Sequence, residues 1–98
     1  MSINSRPIRV LYVDDEQANL KAFRATYRRD FDVLTAASGQ EALDLLDRET
    51  AHVVISDQRM PGMTGAELLA RISERHPACM RMLLTGYADI EAVIDAVN

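Results

Sequence analysis

Four short runs rich in β-branched and apolar residues alternate along this chain with segments of helical periodicity, and that alternation restricts the fold more than any other feature. Ile8 to Val13, Val33 to Ala36, His52 to Ser56 and Arg81 to Thr85 read as strands. Leu20, Phe23 and Tyr27 mark one side of a helix over about Gln17 to Arg28. Ser38-Gly39-Gln40-Glu41 is an S-x-x-E capping box opening a second helix with Ala42, Leu45 and Leu46. Thr64-Gly65-Ala66-Glu67 opens a third, bearing Leu68, Leu69 and Ile72, which should stop before Pro77. Asp89 is placed to cap a last helix with Ile90, Val93, Ile94 and Val97. The order βαβαβαβα predicts an α/β fold, a parallel sheet with helices on both faces.

Aspartates close two of these runs. Asp14 and Asp15 follow Val13, and Asp57 follows Ser56. Open α/β folds bind ligands where parallel strands end, so the acids lie on the expected rim. Three carboxylates gathered there repel one another and call for a cation. Oxygen ligands suit Mg2+ or Mn2+, and a carboxylate can also serve as the nucleophile toward a phosphoryl group. If the three acids share one site, the first and third strands are neighbours and the sheet order is 2-1-3-4. Right-handed crossovers then put the first helix alone on one face and the next two on the other. Thr85, ending the fourth strand on the same rim, could donate a hydrogen bond to a phosphoryl oxygen.

Composition narrows the function classes. A chain of 98 residues with 48% hydrophobic and 27% charged residues is one ordinary globular domain. A net charge of −4 argues against a domain that binds nucleic acid by itself. One cysteine, Cys79, cannot form an internal disulfide, which fits a reducing cytoplasm. No segment is apolar for long enough to span a bilayer, so no membrane association is expected.

Asp14-Asp15-Glu16 after Val10-Leu11-Tyr12-Val13, the loop Asp57-Gln58-Arg59-Met60-Pro61-Gly62-Met63-Thr64-Gly65, and Leu83-Leu84-Thr85-Gly86 together resemble the receiver domains of two-component response regulators. The resemblance covers essentially residues 1–98 and implies a flavodoxin-like fold. It implies that Asp57 is the phosphoacceptor, receiving its phosphoryl group from a histidine kinase. Asp15 would bind Mg2+ directly and Asp14 mainly through water, with the Arg59 backbone carbonyl as a further ligand. Thr85 would be the switch hydroxyl, Gly86 would leave the phosphoryl group room, and Arg59 and Tyr87 would tune the lifetime of the aspartyl phosphate. Partners would be the kinase and an output domain or downstream target. The loop and the Thr85-Gly86-Tyr87 turn look like receivers fused to σ54-type activators such as hydrogenase regulators, or to cyclic-di-GMP phosphodiesterases.

Receivers continue into a fifth strand ending in lysine and a fifth helix, which residues 1–98 do not include. The expectation is therefore order 2-1-3-4 with the fifth strand and helix absent. Lys21, the single lysine, lies on the first helix and cannot supply that ammonium. Arg59 is a poor replacement because its fork is planar. An alternative reading is a receiver-fold interaction module that is not phosphorylated, dimerising through the Arg81 to Thr85 edge or the first-helix face. Lys21, Arg24 and Arg28 read as a solvated helix face, His52 and His76 as structural, and Met60, Met63, Met80 and Met82 as core or loop packing.

Overall fold

A computed structural model describes residues 7–84. Its elements are β1 (Arg9–Val13), α1 (Gln17–Tyr27), β2 (Asp32–Ala36), α2 (Gly39–Leu46), β3 (Val53–Asp57), α3 (Gly65–Arg75) and β4 (Met80–Leu84). The strands form one parallel sheet in the order β2-β1-β3-β4, as the sharing of one site by the three acids required. Thr85, Gly86, Tyr87 and the helix expected after Asp89 lie outside the described residues.

Strand alternation divides the apolar residues between two faces. Leu11, Val13 and Val54 point into a core closed by Ala42, Leu43 and Leu46 of α2 and by Leu68 and Ile72 of α3. Burying a Leu or Ile side chain contributes about 1.5–3 kcal/mol, so this layer supplies most of the hydrophobic stabilisation. Helix starts are capped as their sequences suggest. Thr64 accepts from the Glu67 N–H while the Glu67 side chain accepts from the Thr64 N–H, a complete capping box. At α2 only one of the two bonds forms, from the Glu41 N–H to Ser38 Oγ.

The other face belongs to α1. Leu20 is buried there, and the Phe23 ring stacks on Tyr12 with centroids 4.4 Å apart. Phe23, Tyr27 and Phe31 continue as a tilted aromatic row. Beyond that row, among the described residues, Val10, Val53, Ile55, Met80, Met82 and Leu84 line an open apolar groove of about 480 Å³. Met80 and Met82 are 62% and 47% exposed, which corrects their assignment to packing. Among the described residues α1 is the helix on this face, and at about 10 Å across it covers only part of four strands.

Two further side chains make specific bonds. Arg24 is exposed, as expected of a solvated face, and its guanidinium also donates to the Val33 carbonyl at 2.9 Å and to Thr35 Oγ1 at 3.4 Å, tying α1 to β2. His52 is structural in a specific way, its Nδ1 accepting the Arg9 N–H at 2.9 Å.

Candidate functional site

Strand register builds the site. Val13 pairs with Ser56, so the next residues, Asp14 and Asp57, leave adjacent strands at the same level. Asp15 follows on the turn into α1. One carboxylate oxygen from each of Asp14, Asp15 and Asp57 lies within 4.8 Å of the others. Asp14 is buried, Asp57 half-buried and Asp15 exposed, so the cluster opens outward from a sheltered base.

Asp14 is held from three sides. Tyr12 Oη donates to Oδ2 at 2.7 Å, Asn19 Nδ2 donates to the same oxygen at 3.0 Å, and the Glu16 N–H donates to Oδ1 at 3.0 Å. Its own backbone N–H extends the sheet by donating to the Ala36 carbonyl. Burial first, and then the bond to Asp14, push the Tyr12 phenol well above its usual range, so it stays a protonated donor.

Asp57 shows the strain of the cluster. Its carboxyl is held above the ordinary carboxylate value, first by burial and then by the charge of Asp14, with a smaller push from Asp15. Backbone N–H groups of Gln58 and Arg59 act in the opposite direction. A donor set made only of oxygens, carrying like charges at this spacing, fits a hard divalent cation such as Mg2+ or Mn2+.

The wall beside Asp57 is made by the β3–α3 loop. The Gln58 N–H donates to the Leu84 carbonyl, the Gln58 carbonyl accepts the Gly65 N–H, and Gln58 Oε1 accepts the Ala66 N–H at 2.9 Å. Gln58 thus serves as a second cap for α3. Gly62 turns the loop with φ +82°, a conformation that favours glycine. At Gly65 a Cβ would fall on the Asp57 carbonyl oxygen and lie 2.7 Å from Leu83 Cδ1. Only a glycine lets α3 begin this close to Asp57.

The sequence profile of the response regulator receiver domain matches residues 10–98. The chain belongs to the response regulator receiver family. The hydrogenase transcriptional regulatory protein HoxA of Cupriavidus necator is 46% identical over 89 residues, covering 91% of this chain and 18% of its own. The DNA-binding transcriptional regulator NtrC of Klebsiella pneumoniae is 37% identical over 83 residues, covering 85% of this chain and 18% of its own. This receiver therefore spans under a fifth of those two regulators. The crystal structure of a response regulator receiver domain protein from Clostridium thermocellum superposes with a TM-score of 0.79 at 31% identity, covering 92% of this chain and 74% of that one.

Of the residues expected to act in this receiver, Asp14, Asp15 and Asp57 come together, and Arg59 follows two residues after Asp57 with its residue exposed. Tyr12, Asn19 and Gln58 were not singled out from the sequence. A phenol two residues before an acid on the same strand face is the signal that would have found Tyr12. Asn19 and Gln58 carry no such signal, because any surface amide looks the same in sequence.

Proposed function

We propose that Asp57 accepts a phosphoryl group from a histidine kinase and that the modified receiver switches an output domain or partner, such as a transcription regulator of the kind its relatives represent. The observation that supports this most directly is the joining of Asp57 to Asp14 and Asp15 at one rim of the sheet. In the transfer, an Asp57 carboxylate oxygen attacks phosphorus and forms the O–P bond. The N–P bond to the donor imidazole breaks, and its electron pair returns to the imidazole nitrogen. Asp15, Asp57 and the Arg59 carbonyl would hold Mg2+, with Asp14 reaching it through water. The cation, when bound, offsets the negative charge that otherwise repels the phosphoryl donor.

Thr85, Gly86 and Tyr87, which follow β4, keep the switch and tuning roles in this proposal. Any loss of phosphate from Asp57 is part of the switch, so the domain is not an enzyme acting on an outside substrate. We place it in the cytoplasm, where a kinase can reach it; among the described residues no helix is long and apolar enough to cross a membrane. Labelling with acetyl phosphate and Mg2+ tests the proposal, with Asp57→Asn expected to abolish it.

A second reading, a receiver-fold module that pairs with another copy, is favoured by the exposed Met80, Met82 and Leu84 beside the open groove. Sedimentation over a range of concentrations tests it: a dimer is expected, and a monomer at every concentration rejects it.

A further inference from the structure

The geometry points to the Tyr12 hydroxyl as a positioning group for the cation site, holding the Asp14 carboxylate in one orientation. It rests on the reading of Asp14, Asp15 and Asp57 as that site. An ionised carboxylate offers about four lone-pair positions, two on each oxygen. On Asp14, Oδ2 accepts from both Tyr12 Oη and Asn19 Nδ2, so that oxygen is filled. Oδ1 accepts the Glu16 N–H, so both oxygens are engaged by named donors.

Two independent features fix the hydroxyl. The Tyr12 ring lies in a β-strand on the same face as Asp14, and it is stacked on Phe23 at an interplanar angle of 17°. The stack holds the ring while the phenol reaches two residues along the strand. Asn19, from the first turn of α1, approaches the same oxygen from the helix side. Without the hydroxyl, Oδ2 loses one of its two donors, and the carboxylate is free to rotate and offer a different oxygen. Tyr12 touches no reacting atom in this account; it acts through Asp14.

The test measures Mn2+ binding by the electron paramagnetic resonance of the free ion, with no phosphoryl donor present. Wild type, Tyr12→Phe, Asn19→Ala and Asp15→Asn are compared at a temperature well below the melting point of each. Tyr12→Phe keeps the ring and loses only the hydroxyl, and Asn19→Ala removes the second donor to Asp14 Oδ2 from an exposed helix position. Partners that orient metal ligands typically change affinity by about 10–100-fold, so Tyr12→Phe should weaken Mn2+ binding about tenfold, with Asn19→Ala weaker than wild type in the same direction. A Tyr12→Phe affinity within about threefold of wild type, or tighter, overturns the assignment while the metal site stands. Tyr12→Phe that melts earlier in EDTA yet keeps its Mn2+ affinity shows a purely structural hydroxyl and also overturns it. Absent binding in wild type, or undiminished binding in Asp15→Asn, overturns the cation-site reading and this inference with it.

Discussion

Replacing Asp57 by asparagine should stabilise the metal-free protein at neutral pH, although it removes the residue proposed to carry the function. The carboxylate atoms of the cluster lie within 4.8 Å of one another, which corresponds to about 0.9 kcal/mol of repulsion per pair at the dielectric constant of water. Asp57 has two such neighbours, and 0.1 M salt reduces each term to roughly 0.6 of that value. The expected gain is therefore about 1 kcal/mol, or about 5 °C in Tm for a domain of this size. The sign follows from the raised carboxyl of Asp57. A group whose folded value is raised favours the folded state while protonated and loses that contribution as pH rises through the folded value. The advantage of Asp57→Asn should thus be absent below the ordinary carboxylate value of 3.8 and present at pH 7. Thermal unfolding in EDTA, followed by circular dichroism at several salt concentrations, measures it. A variant no more stable than wild type at pH 7, or an advantage that grows with salt, refutes the electrostatic account.

Three other perturbations probe the frame around the site. Gly65→Ala should cost about 1–3 kcal/mol in chemical denaturation, because its methyl group meets the Asp57 carbonyl oxygen and Leu83. Thr64→Ala removes one half of the α3 capping box and should cost about 1 kcal/mol by the same measurement. Burial pushes the Cys79 thiol up, so alkylation in the folded state should require a higher pH than for a free cysteine, a difference that vanishes in denaturant.

Much of this architecture is legible from strand-end chemistry. Placing Asp14, Asp15 and Asp57 in one site requires β1 and β3 to be neighbours, and the sheet order follows from that single requirement. The apolar periods located the described helices and strands to within a residue or so, and Ala42, Leu46, Leu68 and Ile72 face the core as expected, whereas Leu43 takes the buried place expected of Leu45. Side-chain choices among equivalent partners were not legible. Exposed Arg24 also bonds to the Val33 carbonyl of β2, a proximity fixed only by packing. Met80 and Met82 read as core because strand alternation assigns a face but does not say whether that face is covered. Tyr12 escaped notice for a related reason: an aromatic in a buried strand is usually packing, and its polar end becomes functional only beside a carboxylate.

The central claim is that Asp57 is the phosphoryl acceptor of a cation-assisted site. Incubating the chain with acetyl phosphate and Mg2+, and following intact mass, tests it most directly. The account predicts addition of one phosphoryl group to wild type, dependent on Mg2+ and absent from Asp57→Asn. Addition that persists in Asp57→Asn, or that proceeds equally well in EDTA, would contradict it.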